Sequence, residues 1–291
     1  MRTYREYQAL VEASLEGQLV SLGNMPDILR ESMLYSLQAG GKRLRPVLLL
    51  AVCEALGGSA EEAMPFACAL EMIHTYSLIH DDLPAMDDDD LRRGRPTNHK
   101  VYGEAVAILA GDGLLSAAAE LLLRSACRMG DLRGTRAAEA ILRRAGVCGM
   151  VGGQTMDVTQ EGTEPTPEKV SYIHLHKTAD LLTAPPEAGA ILAGAGGEAL
   201  AECIRYGTCL GLAFQMVDDL LDVEGDAAQL GKNTGMDAQH GKLTWIAAHG
   251  LEQTRLDAKA QIQAAVQAAE VFGEEKKFFQ ALALDTLNRV Q

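Results

Sequence analysis

Hydrophobic residues recur at helical spacing along almost the whole chain. In the most regular stretch, one helix face collects Leu210, Phe214, Val217 and Leu221. No alternation of period two convincingly predicts a strand. The pattern predicts helices at about 4–21, 26–39, 45–57, 61–83, 103–129, 134–155, 168–184, 187–195, 197–223, 240–271 and 275–290. Because no linker rich in proline, glycine or serine separates them, we expect one all-α domain over residues 1–291, a large bundle around a central cavity.

Two of these helices also carry a polar stripe that ends in carboxylates. The stripe on the helix at 61–83 consists of Glu71, His74, Ser77 and Asp81. The stripe on the helix at 197–223 consists of Gly211, Gln215, Asp218 and Asp222. Carboxylates one turn apart repel one another unless a cation lies between them. Oxygen ligands suit Mg²⁺, which binds through a few carboxylates plus substrate phosphates, so the two clusters predict a clamp for diphosphate.

Basic residues near these stripes fit the same chemistry. Lys42 and Arg45 are three residues apart where a helix starts at Pro46, so both can reach one anion. Arg92 and Arg93 are adjacent and therefore diverge, which suits binding to two different diphosphates.

Composition limits the function. The formal net charge of −14 argues against nucleic acid as a partner, because no basic face could supply the phosphate contacts. An anionic substrate is still possible if metal ions mediate its binding. The six cysteines have no metal-ligand spacing and predict small core residues in a reducing compartment. With neither a signal peptide nor a membrane span expected, the sequence predicts a cytoplasmic protein.

Four motifs then occur in order: GGKRLRP at 40–46, DDLPAMD at 81–87, HKT at 176–178 and DDLLD at 218–222. In these motifs the chain resembles the trans-polyprenyl diphosphate synthases over about residues 25–250, and most strongly their bacterial farnesyl diphosphate synthase branch. The resemblance implies the isoprenoid synthase fold, a homodimer, and head-to-tail condensation of isopentenyl diphosphate with an allylic diphosphate.

The resemblance also implies residue roles. Mg²⁺, as three ions bound with the allylic diphosphate, would be held by Asp81, Asp87 and Asp218, with Asp82 and Asp222. Isopentenyl diphosphate would be bound by Lys42, Arg45, His74 and Arg93. The allylic diphosphate would be bound by Arg92, Lys177, Lys232 and Lys242, while Thr178 and Gln215 would face the developing carbocation. Released diphosphate would take the final proton, so no protein base is assigned.

Product length is predicted from the helix before the first aspartates. Position 76 lies about 7 Å deeper along this helix than Asp81. Tyr76 there, with Ser77, resembles the floor of farnesyl-forming members and predicts a fifteen-carbon product. Two features depart from the family: Asp180 could partly neutralise Lys177, and Pro185-Pro186 predicts a helix break near 184.

Other readings remain open. One alternative is a geranylgeranyl diphosphate synthase of the same family, whose members tend to have a smaller or flexible residue at the position of Tyr76. An inactive regulatory subunit is the non-enzyme alternative, although such proteins usually lose one aspartate motif. A terpene cyclase needs neither the second motif nor GGKRLRP, and a di-iron bundle needs paired Glu-x-x-His motifs, of which only Glu71 to His74 occurs.

Overall fold

The computed structural model describes residues 1–224 and 241–287, and their regular secondary structure is helical apart from one short hairpin. The chain groups into two compact units. Unit 1 consists of Met1–Glu139 with Ile191–Gly194, and unit 2 consists of Ala140–Ala190 with Ala195–Gln291. The all-α fold expected from the sequence is therefore confirmed, whereas the single domain stays a prediction.

Unit 1 is built around one central helix. Its helices are α1 (Tyr4–Val20), α2 (Asp27–Leu37), α3 (Leu44–Ala55), α4 (Ala60–Asp81), α5 (Asn98–Tyr102), α6 (Glu104–Met129) and the first part of α7 (Leu132–Ala145). The central helix α4 packs against α1, α2, α3 and α6. Its start is fixed by Ser59, whose side chain accepts a hydrogen bond from the Glu62 amide at 3.3 Å. This agrees closely with the predicted helix at 61–83.

A small hairpin follows α4, where the sequence indicated no strand. Strands β1 (Leu91–Arg92) and β2 (Arg95–Pro96) pair antiparallel. The two-residue turn between them places both Arg93 (φ 54°) and Gly94 (φ 73°) in the left-handed region, as a type I′ hairpin requires. Strands of two residues have no alternation to detect, so periodicity could not predict them.

Unit 2 is built around a long helix that ends in the second aspartate motif. Its elements are the rest of α7, α8 (Met150–Gln160), α9 (Pro167–Ile173), a π-helical segment (His174–Ala179), α10 (Asp180–Leu192), α11 (Gly197–Glu224), α12 (Trp245–His249), α13 (Leu251–Ala268), a 3₁₀ segment (Ala269–Glu275) and α14 (Lys276–Leu287). Helix α11 packs against the π-helical segment, α13 and α14. Leu210, Val217 and Leu221 of its predicted apolar face are buried.

Two long predicted helices are wrong because glycines interrupt them. The prediction at 134–155 is divided by residues 146–149, where Gly149 takes φ −124° and ψ −126°, outside the helical region. The prediction at 240–271 is divided at Gly250, whose φ of 84° and ψ of 159° end α12. In both cases the apolar spacing continues across the break, which hides it from a periodicity analysis.

The helix break expected at Pro185-Pro186 is also wrong, because α10 continues through both prolines. An interior proline costs about 3 kcal/mol through its missing N–H and its ring. Gly207 of α11 leaves room for the second ring: a Cβ there would lie 2.6 Å from Pro186 Cγ. Close packing of the ring into this space contributes to offsetting the lost hydrogen bonds.

By length and hydropathy, α6 is the one helix of the described chain that could also fit a membrane span. In unit 1 it packs against α2, α4 and α5, which is the environment of a core helix.

Candidate active site

The GGKRLRP loop is held by side chains of helix α1 and of the hairpin turn. Three successive carbonyls each accept a hydrogen bond: that of Gly40 from Arg93, that of Gly41 from Gln8 at 2.9 Å, and that of Lys42 from Tyr4 at 2.6 Å. Gly41 has φ 113°, and a Cβ there would lie 2.6 Å from the Arg93 guanidinium carbon. The glycines therefore allow both this backbone conformation and the close approach of Arg93.

Lys42 and Arg45, both predicted ligands of isopentenyl diphosphate, differ in environment. The Lys42 side chain is exposed. Arg45 Nη1 lies 3.4 Å from His74 Nε2, which brings two predicted ligands together. Burial lowers the pKa of Arg45 to about 10, and burial together with the Arg45 charge holds the pKa of His74 well below its usual range. His74 is therefore neutral at pH 7 and can accept a hydrogen bond from Arg45.

Arg43, which was given no role from the sequence, is a buried charged residue of this motif. Its backbone is left-handed (φ 52°), and it donates hydrogen bonds to Glu71 and to the Leu37 carbonyl, both at 2.6 Å. Glu71, predicted as part of the polar stripe, is thus the buried partner of this arginine. The sequence places Glu71 and His74 on one helix face but carries no signal for which basic residue each contacts.

The aspartates of the first motif have two different environments. The Asp87 amide donates to the Asp81 carbonyl at 2.9 Å, so the backbone brings these two half-buried residues together. Asp82 is buried instead and accepts a hydrogen bond from Arg92 Nε at 2.6 Å. Burial raises the pKa of Asp82 despite the arginine. Arg92 therefore competes with a metal ion for the carboxylate of Asp82, which was predicted as a metal ligand. Arg92 also forms an ion pair with Asp89 at 3.3 Å.

The residues of the predicted floor lie on α4. Tyr76 is 6% exposed and its ring meets that of His80 edge-on, with centroids 5.8 Å apart. Burial raises the pKa of Tyr76 to about 12, so its hydroxyl stays protonated. Ser77 is half-buried and donates a hydrogen bond to the His74 carbonyl at 2.9 Å. Tyr76 is thus a fixed aromatic group inside unit 1.

In unit 2 the π-helical segment carries the HKT motif. Single-turn π segments are frequent at functional sites, because the extra residue re-aims the side chains. Lys177 donates to Asp157, and Gly153 allows the contact between these helices: a Cβ at Gly153 would lie 2.1 Å from the Lys177 backbone nitrogen. The absence of a side chain at Gly153 therefore permits close packing of α8 against the π-helical segment. Asp180 contacts Arg144 and His176 instead of Lys177, so its expected neutralising role is wrong.

A cavity of about 150 Å³ lies beside this segment. Its polar lining includes Asp157, Lys177, Thr178, Gln215, Asp219 and Lys242. Four residues predicted for the allylic substrate, Lys177, Thr178, Gln215 and Lys242, thus line one cavity, whereas Lys232 lies outside the described residues.

A hydrogen-bonded chain fixes the amide of Gln215. Thr178 Oγ1 donates to Gln215 Oε1 at 2.8 Å, and Gln215 Nε2 donates to Asp219 Oδ1 at 3.1 Å. Asp219 Oδ2 accepts from the Trp245 amide at 2.7 Å and lies 3.4 Å from His174 Nε2. Burial and the nearby Lys177 charge lower the pKa of His174 to about 3, so this histidine is neutral. The contacts of Asp157 and Asp219 in this site were not predicted from the sequence. The one signal in the sequence is that both residues lie in or near the motifs.

Asp218 and Asp222 are half-buried one turn apart at the end of α11. No group of three potential metal-binding side chains is assembled within the described ranges. The donors present are carboxylates in pairs, Asp81 with Asp87 and Asp218 with Asp222. Paired oxygen donors fit Mg²⁺, which takes one or two carboxylates and completes its octahedron with water and phosphate.

Comparisons with known proteins place the chain in a family. A sequence model of the polyprenyl synthetase family matches residues 26–283. Farnesyl diphosphate synthase of Bacillus subtilis is 50% identical over 230 residues, which cover 79% of this chain and 78% of that protein. The large subunit 1 of the heterodimeric geranylgeranyl pyrophosphate synthase of Arabidopsis thaliana is 50% identical over 232 residues, which cover 78% of this chain but 62% of that longer protein. A crystal structure of an FPP/GFPP synthase from Zymomonas mobilis has a TM-score of 0.86 at 33% identity, over 97% of this chain and 98% of that chain.

The fold is that of the isoprenoid synthases. The chain belongs to the polyprenyl synthetase family, whose members are prenyltransferases that act on isoprenoid diphosphates and use Mg²⁺.

Proposed function

We propose that the protein condenses isopentenyl diphosphate head-to-tail with dimethylallyl or geranyl diphosphate and forms (E,E)-farnesyl diphosphate. The main support is the cavity in unit 2, where Lys177, Thr178 and Gln215 meet at the end of the helix that carries Asp218 and Asp222. A cation, a hydroxyl and an amide oxygen are the groups that an allylic diphosphate and its carbocation require.

The residues of the chain would act in two sets. Lys42, Arg45, His74 and Arg93 would bind isopentenyl diphosphate, with the neutral His74 and the cationic Arg45 as neighbouring donors. Lys177, Arg92 and Lys242, with Lys232, would bind the allylic diphosphate.

Magnesium held by Asp81, Asp87 and Asp218, with Asp222, would supply charge neutralisation for the leaving diphosphate. Arg92 would assist and is oriented for this by Asp82.

The bond changes balance without a protein base. The C1–O bond of the allylic diphosphate breaks, and C4 of isopentenyl diphosphate forms the new bond to C1. A proton then leaves C2 of the former isopentenyl unit to the released diphosphate. The hydrogen bond from Thr178 uses one lone pair of Gln215 Oε1. The other lone pair of this oxygen and those of the Thr178 hydroxyl would then face the carbocation in the cavity that both residues line. Weak dipoles stabilise a carbocation without trapping it as a covalent adduct.

Fifteen carbons is the product length that Tyr76 supports. The ring is buried in α4, about 7 Å before Asp81 along the helix axis, and its contact with His80 fixes its orientation. A growing chain that points from Asp81 toward the helix start would meet this ring.

A twenty-carbon product is the second candidate. It is supported by relatives named geranylgeranyl pyrophosphate synthase, including that of Capsicum annuum at 46% identity over 86% of this chain. The inactive regulatory subunit has less support, because both aspartate motifs are retained.

Product analysis separates these candidates. The protein is incubated with Mg²⁺, isopentenyl diphosphate and either dimethylallyl or geranyl diphosphate, and the products are separated by chromatography. We expect fifteen carbons from both substrates, a longer product from Tyr76→Ala, and an unchanged product from the control Tyr76→Phe. Twenty carbons from the wild type would contradict the floor at Tyr76, and no product from folded protein would favour the inactive subunit. The homodimer and the three Mg²⁺ ions also remain predictions, to be checked by light scattering and by metal titration.

A further inference from the structure

Helix α1 precedes the region matched by the family, which starts at residue 26, yet it contacts the GGKRLRP loop directly. Tyr4 Oη donates to the Lys42 carbonyl at 2.6 Å, and Gln8 Nε2 donates to the Gly41 carbonyl at 2.9 Å. The two donors lie one turn apart on the same face of the helix.

The loop depends on contacts of this kind. Gly40 and Gly41 take φ values of 81° and 113°, and glycine has more backbone freedom to lose than any other residue. The third carbonyl of the series, that of Gly40, is bound by Arg93, which the proposed function assigns to the substrate. Of the three side chains that bind these carbonyls, Tyr4 and Gln8 are therefore the two that are not assigned to the diphosphate.

Helix α1 is itself fixed, so it can serve as a support. Its start has a complete capping box between Thr3 and Glu6, and Tyr7 Oη donates to Glu54 of α3 at 2.6 Å. Burial raises the pKa of Tyr4 to about 12, so its phenol remains a donor at every pH at which such an enzyme is assayed.

We propose that Tyr4 and Gln8 are positioning residues for isopentenyl diphosphate: by holding the carbonyls of Lys42 and Gly41, they fix the backbone from which Lys42 and Arg45 reach the diphosphate. This inference rests on the proposed function. Neither side chain is required to touch the substrate.

The test compares Tyr4→Phe and Gln8→Ala with the matched control Tyr7→Phe. The control removes a phenol hydroxyl from the same helix, but that hydroxyl is bound to Glu54 instead of the loop. Binding of isopentenyl diphosphate is measured by calorimetry, KM is measured separately for isopentenyl and geranyl diphosphate, and Tm is recorded for each variant.

Loss of one loop hydrogen bond should raise Kd and KM for isopentenyl diphosphate about five-fold, and the double variant should raise them roughly twenty-five-fold. KM for geranyl diphosphate and kcat at saturation should stay within about two-fold. Tyr7→Phe should lower Tm while leaving Kd for isopentenyl diphosphate unchanged.

Two results would overturn the inference. One is an unchanged Kd in both loop variants; the other is an equal rise in Tyr7→Phe, which would mean a general effect of helix stability. Failure of the proposed function is separate, since it would appear as a wild-type protein that forms no prenyl product, and the calorimetric comparison does not require turnover.

Discussion

The buried ion pair between Arg43 and Glu71 offers a direct test of how the GGKRLRP motif is held. Both side chains are 1% exposed, and Glu71 Oε2 has no hydrogen-bond partner among the described residues. Arg43→Met keeps an unbranched, flexible side chain of similar volume and removes its charge. The Glu71 carboxylate then stays buried without its hydrogen-bonded cation, and the Leu37 carbonyl loses its donor. Removing one partner of a buried pair costs about 3–5 kcal/mol, so we expect a loss of that size in the free energy of unfolding.

Equilibrium urea unfolding, followed by circular dichroism, measures this loss in a double-mutant cycle. Glu71→Met alone should cost a similar amount, because it leaves the arginine charge buried. The double variant Arg43→Met/Glu71→Met should cost less than either single variant, since an apolar pair of similar size has no uncompensated charge. Arg30→Met is the matched surface control: its partner Asp27 is exposed, and the change should cost under about 1 kcal/mol. A double variant that costs the sum of the two singles would refute this reasoning.

Three further predictions concern unit 2 and the metal. Gly153→Ala should cost about 1–3 kcal/mol and raise KM for the allylic diphosphate, because its methyl group would collide with the Lys177 backbone; Gly196→Ala, which has open space, is the control in the same kinetic and unfolding assays. The pKa of His174 is about 3 when folded and about 6.5 when unfolded, so its stabilisation is complete above pH 6.5 and is lost as pH falls toward 3. Between pH 6.5 and 5 this amounts to about 2 kcal/mol in urea unfolding, and His174→Gln should flatten that slope. Chelation with EDTA should abolish product formation without changing the circular dichroism spectrum, and added Mg²⁺ should restore it; activity that survives chelation would contradict the metal assignment.

The sequence predicted the two motif helices closely for physical reasons. Helix α4 was expected at 61–83 and runs from Ala60 to Asp81, because a serine cap and the proline at 84 delimit a regular apolar pattern. The hairpin after it and the π-helical segment were not predicted. The first is too short to have a period, and the second adds a residue to one turn without interrupting the apolar spacing. The contacts Arg43–Glu71 and Lys177–Asp157 join residues 28 and 20 positions apart, so no local pattern specifies them.

Each aspartate motif begins with two adjacent aspartates, Asp81-Asp82 in the first and Asp218-Asp219 in the second, and the structure distinguishes the two members. Successive residues on a helix point about 100° apart, so adjacent aspartates cannot face the same ligand. In both motifs the second aspartate is buried at 2% exposure and is engaged within its own unit: Asp82 by Arg92, and Asp219 by the Trp245 amide and Gln215. The first aspartates, Asp81 and Asp218, remain half-buried at the helix ends. In each dipeptide the second carboxylate therefore binds a polar side chain of its own unit, Arg92 in unit 1 and Gln215 in unit 2. We expect the first carboxylate of each dipeptide to serve the metal ion, which the sequence pattern alone could not separate from its neighbour.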